Sequence, residues 1–199
     1  MRIPNSEYVP QDWRIGECTR DFHLEDVWAL PTPGQEGDFA QLVKLIAASD
    51  PAEGSSAIAR TLWATRWKLG KWFGWDVPGS GLGSRVATLR ERLPADLRDA
   101  QLGPEFAALP FRSVYLLENE WAAEVANATM HAVMHVSWVP DRATGGYRGQ
   151  MAILVKPNGL PGRTYMAAIR PFRHLLVYPS IMRQIDHDWR RRRAPAAGL

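Results

Sequence analysis

The sequence predicts an α+β domain: antiparallel strands with one apolar face, covered by a long bent C-terminal helix, with two shorter helices near the N-terminus. Three observations carry this. Residues 113–157 hold the runs SVYLLENEWAAEVA, ATMHAVMHVSWV and YRGQMAILVK, which alternate with the period of strands. Two earlier stretches, FAQLVKLIAA and the run from Ser55 or Ser56 to about Phe73, space their apolar residues three or four apart instead. The last run keeps helical time through two prolines, with Tyr165, Ile169, Phe172 and Leu176 followed by Tyr178, Met182, Ile185 and Trp189. Pro171 and Pro179 lack amide hydrogens and must bend it.

Along the chain, residues 1–20 are polar, contain Pro4 and Pro10, and read as an irregular arm before a single domain over 21–193. DFHLEDVWAL (21–30) reads as a strand. Asp38 is placed to N-cap the helix carrying Phe39, Leu42, Val43 and Ile46. The second helix carries Ile58, Leu62, Leu69, Trp72 and Phe73, with Trp63 and Trp67 on an adjoining stripe. Glycines and prolines punctuate residues 74–113, an irregular insertion expected to wrap the body or to carry a short strand over Val86–Leu89. Residues 194–199 read as a flexible tail.

Alternation supplies a register for the strands. With a turn at Ala126 and Asn127, one face holds Trp121, Ala123 and Val125 with Met130, Ala132, Met134, Val136 and Trp138. The other holds Glu118, Glu120 and Glu124 with Thr129, His131, Val133 and His135. The terminal helix is expected on the apolar face. The carboxylate and histidine face reads as a solvated surface, with an acid–base pair of Glu118 opposite His135 as the alternative.

Composition narrows the class. In 199 residues, 46% are hydrophobic and 23% charged, the balance of a globular domain. A net charge of +3, with much of the excess in Arg190–Arg193, argues against a nucleic-acid surface, and those arginines suit a solvated helix C-terminus. The single Cys18 excludes an intramolecular disulfide framework or multi-cysteine zinc site and makes a reducing, cytoplasmic location the default. No secretory signal or membrane span is read. Nine tryptophans and six methionines mean either a bulky core or an aromatic-lined cavity.

Motifs for cofactors do not hold up. HAVMH spaces His131 and His135 for a metal on a helix, but four strand residues span roughly 13 Å, so no metal site is expected. GSGLG (79–83) resembles a phosphate loop yet follows an aromatic helix and Pro78, so it reads as a plain loop and no cofactor is assigned. Asn127-Ala128-Thr129 matches a glycosylation acceptor, which a cytoplasmic chain does not use.

With these elements in place, the stretches TLWATRWKLGKWFGWD, NEWAAEVANATMHAVMHVSW and GQMAILVKPNGLPGRTYMAAIRPFRHLLVYP resemble an uncharacterised bacterial domain-of-unknown-function branch. The whole resembles the START-like, or helix-grip, superfamily (SRPBCC) that includes polyketide cyclases. That resemblance implies a curved antiparallel sheet wrapping the C-terminal helix, with an apolar cavity between them.

The expected function is therefore binding of a small, largely apolar molecule, with aromatic and polyketide-like compounds among the candidates and a homodimer left open. Its expected lining is Trp63, Arg66, Trp67, Met134, Trp138, Met151, Tyr165, Ile169, His174 and Tyr178. Two alternatives stay open: a cyclase or dehydratase moving protons with His174, Tyr178 or Glu120, and an interaction module with a filled core.

Overall fold

The computed structural model describes residues 1–9, 12–50, 82–83, 86–159, 162 and 173–193. It is an α+β fold built on one curved, antiparallel, six-stranded sheet. In chain order the strands are β1 (Arg2–Ile3), β2 (His23–Ala29), β3 (Arg112–Leu116), β4 (Glu120–Ala126), β5 (Met130–Asp141) and β6 (Gly146–Pro157). Their spatial order is β1-β2-β6-β5-β4-β3. The second helix over 55–73, the first half of the terminal run with Tyr165, Ile169 and Pro171, and the tail 194–199 lie outside the described residues.

The first alternating run is two strands rather than one. Glu118 and Asn119 reverse the chain, with the Leu117 amide donating to the Glu120 carbonyl at 2.8 Å. Glu118 thus occupies a turn and does not face His135, which removes that acid–base pair. The following hairpin turns two residues later than expected, since Ala126 pairs with His131. The cause is Asn127, whose Oδ1 accepts from the Thr129 amide at 2.9 Å, the Thr129 hydroxyl at 2.8 Å and the Met130 amide at 3.1 Å. An asparagine bonded this way opens a turn rather than sitting at its centre. Each strand residue nevertheless keeps its expected face, because a two-residue displacement preserves alternation.

The first face of the sheet carries Trp121, Ala123, Met134, Val136, Trp138 and Met151, covered by α1 (Phe39–Ala48) and by the terminal helix. Phe39, Leu42, Val43 and Ile46 are buried as the periodicity predicts, joined by Leu45 and Ala47. Asp38 does not cap α1 with its side chain. Its carboxylate instead accepts from the Gln35 amide at 2.8 Å and closes the preceding turn. Gly149 permits the close approach of α1, since a Cβ there would lie 2.6 Å from Leu42 Cδ2.

The described part of the terminal helix begins as a π-helical turn, Arg173–Val177, and continues as an α-helix over Tyr178–Arg193. Pro179 has no amide hydrogen to return to the preceding turn, and the wider turn stands directly before it. Beyond it, Tyr178, Met182, Ile185 and Trp189 are buried against the sheet and α1, the stripe the spacing predicts. Both facing indoles also find acceptors, Trp189 at the Pro33 carbonyl (3.0 Å) and Trp138 at the Gln35 carbonyl (2.9 Å). Arg190–Arg193 are exposed, and Arg193 pairs with Asp38 at 2.9 Å.

The second face departs from expectation, for it is the floor of a second core and not a solvated surface. The N-terminal segment crosses it and contributes Ile3, Tyr8, Ile15, Cys18 and Phe22. Residues 86–100 add Leu89, Leu93 and Leu97. In place of a strand over 86–89 there is one bridge, Leu82 to Val86, then a tight turn (Leu89–Arg92) and the short helix α2 (Ala95–Arg98). Neither covering segment is periodic enough to announce a core in the sequence. Each buries apolar residues singly, a few from every turn.

Candidate functional site

Two sets of polar side chains lie within this frame, one on each face. On the second face, β4 projects Glu120 and Glu124 while β5 projects His131 and His135. His135 Nε2 lies 2.8 Å from Glu120 Oε2, and His135 Nδ1 lies 2.8 Å from the Tyr8 hydroxyl. Glu120 also accepts from the Tyr115 hydroxyl at 3.1 Å and the Arg14 amide at 3.1 Å. His131 Nε2 is 2.7 Å from Glu124, which accepts in addition from the Leu89 amide and the Thr88 hydroxyl.

These groups are sealed. His135 is 0% exposed, Glu124 1%, His131 2% and Glu120 3%. Burial holds the His135 imidazole below its ordinary pKa, against the opposing pull of Glu120. Burial, reinforced by the charge of Glu120, raises the Tyr8 and Tyr115 phenols. Burial also lifts the Cys18 thiol to about 11, so it is not a poised nucleophile. Each carboxylate fastens a covering segment to the sheet, Glu120 through the Arg14 amide and, by way of His135, through Tyr8, and Glu124 through Thr88 and Leu89. The arrangement is a hydrogen-bonded polar network within a core.

The first face carries a different pair. Asp26 Oδ1 and His174 Nε2 are 2.6 Å apart, with Arg2 Nε 3.4 Å from the same oxygen. Asp26 is fully buried, whereas one-fifth of the His174 side chain is exposed. Trp28 lies against Tyr178 with ring centroids 4.6 Å apart and meets His174 edge-on at 6.5 Å. Among the described residues, the buried Trp28 Nε1 has no hydrogen-bond partner. Such an unpaired donor costs about 1–3 kcal/mol.

Both members of the pair stand on backbone irregularities. In β2 the register slips between Leu24 and Asp26, so that Leu24 pairs with Leu154 while Asp26 pairs with Ile153. Leu154 belongs to the second face and Ile153 to the first. The bulge therefore moves Asp26 from the side of Leu24 to the side of Trp28. His174 lies in the π-helical turn. Across the sheet, Asp26, Ile153 and Met134 stand in register, beside the row Trp28, Met151, Val136.

Of the residues expected to line a site, Met134, Trp138, Met151 and Tyr178 share the first-face core, and His174 is on the same side. Trp138 is the furthest committed to packing, set between Phe39 and Trp189 with its indole donor already paired. Glu120 faces the other way, so it does not join His174 and Tyr178. Trp63, Arg66, Trp67, Tyr165 and Ile169 lie outside the described residues. Asp26 escaped the sequence reading. Its signal was the broken alternation in LEDVW, where two adjacent acids interrupt a strand.

An open cleft of about 480 Å³, lined by Pro31, Pro33, Asp186, Trp189, Arg190 and Arg193, lies at the far end of the terminal helix. A neighbouring cleft of about 340 Å³ runs over Gly34, Gln35 and Gly146. Among the described residues, no three histidine, cysteine or acidic side chains could hold a metal ion. Among the same residues, no helix is long and apolar enough to cross a membrane.

Sheet, helix and paired acids thus define an α+β protein whose single sheet is covered on both faces and carries a carboxylate–histidine pair against its terminal helix. Residues 18–180 match the model of a family described as a protein of unknown function (DUF2867), and the chain belongs to that family. No curated protein matches it, and no solved structure does.

Proposed function

We propose that this protein is a cytoplasmic, helix-grip-type domain that binds a small, largely apolar molecule between the first face of its sheet and the C-terminal helix. The observation that carries the reading is a polar island in an apolar face: Asp26, His174 and the unpaired Trp28 donor beside Met151 and Tyr178. Sites for small apolar ligands have this composition, wide apolar walls with a few polar groups that fix orientation. The order of elements, an antiparallel sheet against a C-terminal helix, agrees with the helix-grip arrangement. The two open clefts are less suited, because arginines and backbone turns line them and neither touches the polar island. Burying on the order of 300 Å² of ligand at about 25 cal/mol per Å² yields roughly 7.5 kcal/mol before the cost of association, so the polar contacts of the island must add to it.

Native mass spectrometry of the protein purified from its own host tests this, together with titration by the apolar fluorophore 1-anilinonaphthalene-8-sulfonate. The expected results are a co-purifying small molecule, and a saturable fluorescence rise that Tyr178→Ala weakens. A bare polypeptide mass with no saturable fluorophore binding contradicts the reading.

A further inference from the structure

We infer that Asp26 and His174 form a proton-transfer pair in which Asp26 orients the imidazole and His174 Nδ1 takes a proton from a weakly acidic C–H of a small apolar compound. This rests on the binding site proposed above and adds a reaction to it. The short contact between Asp26 Oδ1 and His174 Nε2 assigns the ring hydrogen to Nε2, because a carboxylate only accepts. The same tautomer leaves Nδ1 as the basic nitrogen, and among the described residues nothing is hydrogen-bonded to it. His135 is the instructive contrast, since its Nδ1 is occupied by the Tyr8 hydroxyl.

Three further features fit a working pair better than a packing device. Asp26 is fully buried, and among the described residues His174 and Arg2 lie against its Oδ1 and help to hold the carboxylate in place. His174 keeps one-fifth of its side chain exposed, unlike the sealed imidazoles of the second face. The β2 bulge and the π-helical turn, two departures from regular backbone in distant parts of the chain, meet at this contact. Such bulges and turns recur where a side chain must be aimed. Among the described residues, the titratable groups around the imidazole are Asp26 and Arg2 across the sheet edge and Tyr178 on its own helix.

The substrate class is a compound whose C–H is acidified by a neighbouring carbonyl or comparable acceptor and whose remainder is apolar. A proton taken at Nδ1 gives an imidazolium facing the Asp26 carboxylate, which stabilises it. Returning that proton to a different atom isomerises the compound, and returning it to water follows expulsion of a leaving group.

5-Nitrobenzisoxazole is a suitable probe because its turnover needs only a base in an apolar setting. His174 removes the ring C–H proton, the C–H electron pair becomes part of a nitrile as the N–O bond breaks, and oxygen departs as the phenolate. The expected result is saturable phenolate release, reduced at least tenfold by His174→Gln and left unchanged by His187→Gln on the exposed side of the helix. Asp26 is a positioning residue, so its test is spectroscopic as well. Long-range 1H–15N correlation should show His174 protonated at Nε2 alone in the native protein and at either nitrogen in Asp26→Ala. Wild-type turnover in His174→Gln, or an Nδ1-protonated His174, overturns the inference. If the fluorophore binds saturably to protein that does not turn over the probe, the proton-transfer pair falls and the binding site stands. If neither binds, both fall.

Discussion

On the second face of the sheet, His131 and His135 are sealed beneath covering segments; on the first, His174 keeps one-fifth of its side chain exposed. All three imidazoles lie 2.6–2.8 Å from a carboxylate. The pairing alone therefore says little about role. What separates them is the way out and, for His135, the second ring nitrogen as well. His135 spends both nitrogens on the protein and has no route to solvent, so removing a partner strands a buried polar group. His174 spends one, and its remaining edge is available to something else.

The largest effects should arise where the sealed pairs are broken. Glu124→Ala leaves His131, the Leu89 amide and the Thr88 hydroxyl without their acceptor and should lower stability by about 3–5 kcal/mol, read from the denaturant midpoint. A loss below about 1 kcal/mol would mean water reaches this face. Trp138→Ala, a large-to-small change between Phe39 and Trp189, should lose about 3–5 kcal/mol as well. Near-unchanged thermal unfolding would remove Trp138 from the core. Tyr8→Phe deletes one hydroxyl and should cost about 1–3 kcal/mol, while sparing fluorophore binding on the other face.

Acidity sharpens the same contrast. His135 is held below its ordinary value of 6.5, so the unfolded chain binds a proton before the folded one does. Stability present above about pH 6.5 should decline as the pH falls below it, and His135→Gln should flatten that slope. Tyr8 and Tyr115 act in the opposite sense. Their phenols are raised from 10.0, so stability should fall as the pH climbs past 10, where only the unfolded chain ionises them. The open pair should cost less than the sealed ones: His174→Ala takes one donor from the buried Asp26 carboxylate, which keeps Arg2 at 3.4 Å, and should lower stability by about 1–3 kcal/mol while weakening fluorophore binding.

How much of this the sequence disclosed follows from which signals are periodic. The stripe Tyr178, Met182, Ile185, Trp189 and the partition of β4 and β5 were legible, because each repeats a fixed spacing and the partition survives a two-residue displacement of the turn. The turn at Glu118 and Asn119 was not, since ENE inside an alternating run looks like continued alternation. The second core was hidden for a different reason. Its covering residues, from Ile3 to Phe22 and from Leu89 to Leu97, sit in short turns where no period can build up. Without that cover the acids and histidines of the second face read as solvated. Asp26 was hidden by the bulge, which exchanges faces within one strand and so defeats any argument from alternation. His174 and Tyr178 were legible as polar residues bordering an apolar stripe, but their acidic partner was not.

Labelling the native protein with diethyl pyrocarbonate, resolved histidine by histidine by mass spectrometry, tests the division between the faces most directly. His174 should be modified in the folded protein, with exposed His23 and His187 as references, while His131 and His135 stay unmodified until the chain unfolds. Modification of His131 or His135 at the rate of His187, or protection of His174 equal to theirs, would contradict it.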